Sequence, residues 1–309
     1  MKLFVGVTDF DWYSYLSSIE NIDEVNFWQP SGDTSFKALE PGELFLFKLH
    51  SPQNFIAGGG FFAHSTILPV SLAWNSFEIK NGAISLSEMR RRIEKYRKAK
   101  PTFEDYSIGC ILLEQPFFFP REQWIPIPVD WSPNIVRGKR YFADTEVGRS
   151  LWEKVQLRMQ ESRPVVQPHS EIREPAARFG APVLVTPRLG QGSFRVIITD
   201  VYNRRCAVTQ EKTLPALEAA HIKPFSDSGP HSVQNGILFR SDIHRLFDSG
   251  YVTITSDYRF EVSRRIRDEF ENGRDYYALQ GRRLSIPDEP KMKPSDGYIS
   301  WHNENVYRG

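Results

Sequence analysis

A break in the middle of the chain constrains its fold more than any other feature. Between residues 161 and 187 stand Pro164, Pro168, Pro175, Pro182 and Pro187, among scattered charges and small residues with no sustained hydrophobic period. Proline fixes φ and removes a hydrogen-bond donor, so neither a helix nor a sheet interior tolerates this density. The segment reads as a semi-extended linker. A chain of 309 residues is also long for one core, which predicts two bodies, residues 1–160 and 188–309.

The first body is dense in aromatics and short apolar runs. Phe4-Val5-Gly6-Val7, residues 43–49, 55–62 and 108–113 read as strands, bounded by turn signals such as Pro41-Gly42 and Ser51-Pro52. Residues 88–98 read as a basic helix. Residues 146–160 read as an amphipathic one, with Leu151, Val155 and Met159 recurring at four-residue steps. Mixed strands with few helices predict a small α+β barrel.

The second body has a different texture. Ser193 is placed to cap a helix through Val196, Ile197 and Val201 to Asn203. Residues 216–222 and 236–239 are short apolar pieces separated by an irregular loop. Ser241 or Asp242 then caps a helix through Phe247, which Gly250 stops. Strand, loop, strand and helix make a ββα unit, so the whole chain is expected to be α+β.

Several function classes are disfavoured by bulk properties. A net charge of +1 excludes indiscriminate binding to nucleic acid through a global field, so any DNA contact must come from local clusters. No apolar run approaches the roughly 18 residues that span a bilayer. The start, Met1-Lys2-Leu3-Phe4-Val5-Gly6-Val7, lacks the long apolar stretch of a secretory signal. The two cysteines, Cys110 and Cys206, are far apart and form no CxxC pair. Together these predict a cytoplasmic protein without a structural zinc knuckle.

Chemistry concentrates in the ββα unit. His221, Asn235 and His244 follow at spacings of 14 and 9 residues, and Asp248 lies four residues beyond His244. Positions i and i+4 share a helix face, so His244 and Asp248 can address one ion. An imidazole with a carboxylate suits Mg²⁺ or a first-row divalent metal. His221, at the end of the preceding strand, is placed to face the same spot. Phosphodiester hydrolysis needs such a pair: a neutral imidazole to deprotonate water and a cation to stabilise the charge that builds on phosphorus and the leaving oxygen. The amide of Asn235 donates and accepts at once, which suits it to lock the loop after His221.

These residues resemble the HNH endonuclease family, and in particular the branch found in bacterial modification-dependent restriction enzymes. The likeness runs from Arg204 to about Ile254. It is carried by Arg204-Arg205-Cys206-Ala207-Val208-Thr209, Leu217-Glu218-Ala219-Ala220-His221-Ile222-Lys223-Pro224, Asn235-Gly236-Ile237-Leu238 and His244-Arg245-Leu246-Phe247-Asp248-Ser249-Gly250. The resemblance implies His221 as general base, Asn235 as loop brace and His244 as a ligand of one divalent cation. Mg²⁺ leads, with Mn²⁺, Ni²⁺ and Zn²⁺ as alternatives. Many members place an acid or histidine ligand immediately before the base, where this chain has Ala220. Glu218, one strand period back, then either supplies the missing ligand or pairs with an arginine. Lys223, Arg240 and Arg245 are candidates for phosphate contact. Cys206 reads as a packing residue and His302 as structural.

More loosely, the first body resembles the PUA-like fold, which includes EVE and SRA readers of modified bases. Such readers hold an extruded base between aromatic faces and hydrogen-bond its edge. Trp28 with Gln29, in a turn-rich segment, and Trp74 with Asn75, after Pro69, are the candidate pocket residues. Gly58-Gly59-Gly60 permits close backbone approach to a ligand or to another strand. Arg90, Arg91 and Arg92 with Lys95, Arg97, Lys98 and Lys100 form the densest basic cluster. The sequence therefore predicts a DNA endonuclease directed by its first body, with modified cytosine in anti-phage restriction as the expected target. One ββα site cuts one strand, so a double-strand break calls for a homodimer or two successive events. The competing readings are a nuclease or toxin directed by sequence or by a protein, and a non-cleaving DNA-binding module.

Overall fold

The computed structural model describes residues 1–33, 35–97, 101, 103–161 and 189–309. The proline-rich segment and Lys98 and Lys100 lie outside the described residues. The chain forms two compact units, Met1–Pro187 and Arg188–Gly309.

The first unit runs β1 (Lys2–Thr8), α1 (Phe10–Ser17), β2 (Glu24–Gln29), β3 (Leu44–Leu49), β4 (Phe55–Pro69), α2 (Val70–Phe77), α3 (Leu86–Tyr96), β5 (Ser107–Phe118), β6 (Ile125–Pro126), β7 (Gly138–Phe142) and α4 (Glu146–Glu161). Its strands form one seven-stranded sheet in the order β2-β5-β4-β3-β1-β7, with β6 added to β4. β1 and β3 pair in parallel, and the other pairings are antiparallel. β3, with the sequence LFLFKL, is buried at every position, as expected of an interior strand covered on both faces. Leu3, Val5, Leu44, Leu46 and Ile56 form a core with Leu151 and Val155 of α4.

Two expectations for this unit are corrected. Among the described residues the sheet ends at β2 and β7, which do not pair, so it is an open mixed sheet and not a closed barrel. Phe27, Trp28 and Gln29 belong to β2 and pair with β5; the turn chemistry of the residues after them had masked the strand. Trp74 and Asn75 lie in helix α2, with Pro69 just ahead of it as N-cap, a place where a proline's missing N–H costs nothing. The glycine triplet serves the sheet: a Cβ on Gly58 would sit 2.2 Å from the Phe117 carbonyl oxygen and one on Gly59 2.6 Å from that of Phe45.

The second unit runs α5 (Gln191–Val201), β8 (Leu217–His221), β9 (Gly236–Arg240), α6 (Ser241–Asp248), β10 (Val252–Ile254), β11 (Phe260–Val262), α7 (Arg265–Phe270), α8 (Arg274–Tyr277) and α9 (Asp296–Asn305). Two hairpins, β8-β9 and β10-β11, pack with α5, α6 and α9 around Phe194, Ile198, Ile237, Phe239, Ile243 and Phe247. Ser193 is not a cap. The N-cap of α5 is Gly190, and Ser193 is fully buried inside the helix. α6 starts after Arg240 without a side-chain cap. It ends at Gly250, whose φ of +76° and contact with the Val306 carbonyl leave no room for a Cβ. Among the described residues, no helix is long and apolar enough to cross a membrane.

Candidate active site

β8 and β9 pair antiparallel with Ala220 opposite Ile237 and His221 opposite Gly236. The register turns Leu217 and Ala220 into the core and leaves Glu218 and His221 half-buried. A Cβ on Gly236 would sit 2.3 Å from Ile198 Cδ1, so the glycine lets α5 press onto the hairpin. That approach brings the Phe194 ring flat against His221, with centroids 3.9 Å apart and planes 14° from parallel.

A cavity of about 420 Å³ opens over this hairpin, and Phe194, Arg195, Glu218, His221, His244 and Asp248 line it. The two histidines singled out from the sequence thus border one space. Burial lowers the pKa of His221 from 6.5 to about 4, with His231 and His244 adding to the effect. Its imidazole is therefore neutral at pH 7 and able to accept a proton. Nε2 of His221 lies 2.9 Å from Nδ1 of His231, and His231 in turn stacks on Phe225 at 4.7 Å.

On α6, His244 stands between two carboxylates. Its Nδ1 is 2.7 Å from Glu218 Oε2, and its Nε2 is 3.3 Å from Asp248 Oδ2. The pKa of Asp248 is raised, chiefly by loss of water around it; the charge of Glu218 adds to the rise and His244 opposes it. Among the described residues, no three His, Cys, Asp or Glu side chains are already grouped as a metal cage. The donor set of one imidazole and two carboxylates nevertheless fits a divalent cation, because a cation would relieve the repulsion between the acids. Glu218 approaches His244; no arginine pairing of Glu218 is seen among the described residues.

Asn235 is fully buried at the start of β9 and holds the loop from three sides. Its Oδ1 accepts from the Lys223 amide at 2.9 Å, while Nδ2 donates to the carbonyls of Lys223 and Pro230, each at 2.9 Å. The Ile222 amide also donates to the Asn235 carbonyl at 2.9 Å. Both ends of the segment between His221 and His231 are thereby tied to one side chain.

The three basic candidates fare differently. Lys223 Nζ lies over the Trp301 ring at 5.2 Å. Arg240 is clasped by Asp242, with Nε donating to Oδ1 at 2.9 Å. Neither it nor the exposed Arg245 borders the cavity. Arg195 and Gln191 of α5 do border it. They stand outside the motif spacing, and only the packing of α5 on the hairpin reveals them. Cys206 is a buried core residue. His302 is buried on Phe247, its ring 3.7 Å away, with Nε2 donating to the Phe247 carbonyl at 3.1 Å.

In the first unit, a separate cavity of about 510 Å³ is lined by Trp12, Phe27, Trp28, Gln29, Tyr96 and Arg97, among others. Trp28 donates from Nε1 to the Asn81 carbonyl at 3.0 Å, which fixes its ring. Trp74 and Asn75 do not line this cavity. Within the basic helix, Arg91 and Arg92 both pair with Glu88, and Arg97 donates to the Pro30 carbonyl at 2.7 Å.

A two-stranded hairpin followed by a helix, with an imidazole on each side of a shared cavity, is the layout of ββα nucleases. Residues 206–255 match the HNH endonuclease family, so the chain carries an HNH endonuclease domain, the domain of a phosphodiester hydrolase. No curated protein matches the chain. Among solved structures, it is similar to ASCH from Zymomonas mobilis at 9% identity, over 49% of this chain and 94% of that one, with a TM-score of 0.35. It is also similar to the modification-dependent TagI restriction endonuclease at 11% identity, over 97% of this chain and 81% of that one, with a TM-score of 0.30.

Proposed function

We propose that this chain is a metal-dependent DNA endonuclease whose second unit cuts and whose first unit reads a base. The observation that carries the proposal is the shared cavity, with neutral His221 on one side and His244 between Glu218 and Asp248 on the other.

His221 acts as the general base. Nε2 is engaged by His231, so Nδ1 is the nitrogen that takes the proton of the attacking water. His244 and Asp248, with Glu218 as a third donor, hold a divalent cation, Mg²⁺ first and Mn²⁺, Ni²⁺ or Zn²⁺ as alternatives; when bound it supplies Lewis-acid stabilisation of the developing charge. Asn235 keeps the loop from carrying His221 out of line. Arg195, on the cavity wall, is placed to take a phosphate oxygen, whereas Arg240 does not border the cavity.

For the first unit, the reading rests on an aromatic cavity of a size and chemistry that suit one extruded base. Trp12, Phe27 and Trp28 offer ring surface, and Gln29 offers an amide for the base edge. The preferred substrate is DNA carrying modified cytosine, which fits restriction of foreign DNA. A double-strand break would take two such chains or two successive cuts.

The test compares cleavage of unmodified, 5-methylcytosine and 5-hydroxymethylcytosine DNA of one sequence, with Mg²⁺ or Mn²⁺. Modified DNA should be cut at least about 10-fold faster, the discrimination expected when one base contact is gained. Equal rates on all three would remove base reading and favour direction by sequence or by a protein partner. No cleavage of any substrate would favour the non-cleaving module.

A further inference from the structure

We propose that His231 is a positioning residue that fixes which ring nitrogen of His221 carries its proton. The proposal rests on the reading of His221 as the base and adds a residue that the motif spacing does not contain.

A 2.9 Å contact between two ring nitrogens requires one N–H and one lone pair. With both rings neutral, only two arrangements exist. If His231 Nδ1 donates, the lone pair of His221 is spent at Nε2, its Nδ1 carries the proton, and the ring cannot accept one from water. If His221 Nε2 donates, Nδ1 keeps its lone pair and the base is armed. The tautomer of one histidine is thus set by the other, as a ring nitrogen's partner generally sets it.

The surroundings hold this pair in register. Phe194 lies flat on His221 and Phe225 lies flat on His231, 9° from parallel. The Pro230 carbonyl, one residue before His231, is held by Asn235 Nδ2 at 2.9 Å. Asn235 therefore places His231 as well as the strand end that bears His221. His231 does not border the cavity, so it acts through His221 and not on substrate. Once His221 has taken the proton from water, its Nε2–H bond to His231 becomes charge-assisted and stabilises the imidazolium. A buried aspartate does this for the histidine of a serine-protease triad; here the partner is a second imidazole.

The experiment is side-chain ¹⁵N NMR of the full-length, metal-free protein with labelled histidine. It is joined to single-turnover cleavage of supercoiled plasmid with Mn²⁺, using the cytosine form that is cut best. In the parent protein His221 should be the Nε2–H tautomer. His231→Ala should lose that preference and lower the cleavage rate about 10- to 100-fold, as loss of an orienting partner does, with little change in the DNA concentration giving half-maximal rate. His231→Gln, whose Oε1 can accept from His221, should restore both tautomer and most of the rate. An Nδ1–H tautomer in the parent, or an unchanged tautomer and rate in His231→Ala, overturns the proposal. His221→Ala separates the two readings. If it cuts like the parent, the base assignment fails and this inference with it. If it is inactive while His231→Ala is unchanged, only this inference fails.

Discussion

Glu218 on the first strand of the hairpin meets His244 on the helix, carboxylate to Nδ1, at 2.7 Å. A core alanine, Ala220, occupies the place where many HNH enzymes carry a ligand, and Glu218 reaches the helix from further back along the strand. In the proposed metal site Glu218 either enters the shell or orients His244 within it.

Glu218→Gln should weaken Mn²⁺ binding by about 10- to 100-fold, whether it is a ligand or a partner of one. Calorimetric titration of the intact protein measures this directly. Unchanged affinity would reduce Glu218 to a local charge partner of His244.

Asn235→Ala should cost about 1–3 kcal/mol, because it leaves two carbonyls and one amide without their partner in a partly buried loop. Urea denaturation gives the stability. Hydrogen exchange at the Lys223 amide gives the location, and faster exchange there should exceed any change in the first unit.

The pH dependence of kcat/KM follows from His221. As the proposed base His221 works neutral, and its pKa lies near 4 instead of 6.5. Activity at saturating Mn²⁺ should therefore hold as pH falls through 6.5 and be lost only towards pH 4. A half-loss of kcat/KM at pH 6.5 would mean that a solvated histidine is the base.

His302 makes a separate prediction about stability. Its pKa is lowered from 6.5 to about 4, chiefly by burial, with the bond to the Phe247 carbonyl opposing. An unfolded chain takes up this proton below pH 6.5 while the folded one does not, so stability is full above pH 6.5 and falls between 6.5 and 4. The loss is at most about 3 kcal/mol. His302→Asn should reduce the slope of that part of the pH profile in urea denaturation, leaving the share that His221 contributes, and an unaltered slope would contradict it.

The ββα unit was legible in the sequence because its signals are local. Apolar runs of strand length, a stop glycine at Gly250 and an i,i+4 pair at His244 and Asp248 each depend on neighbours in the chain. What escaped depends on packing between elements. His231 has no meaning by spacing alone and acquires it when the loop folds back to His221. Arg195 enters the cavity because α5 lies on Gly236. Arg240, a candidate phosphate ligand by charge, pairs with Asp242 two residues away. In the first unit, Pro30 and Gly32 hid the strand that ends at Gln29. Proline and glycine mark where an element ends as readily as where none exists.

The most direct test of the central claim is His221→Ala, assayed for single-turnover DNA cleavage with Mn²⁺ alongside DNA binding and Mn²⁺ binding. With His221 as the base, cutting should fall by at least about 100-fold, within the usual range for losing a general base, while both affinities stay near those of the parent. A variant that binds metal and DNA and still cuts at the parent rate would contradict it.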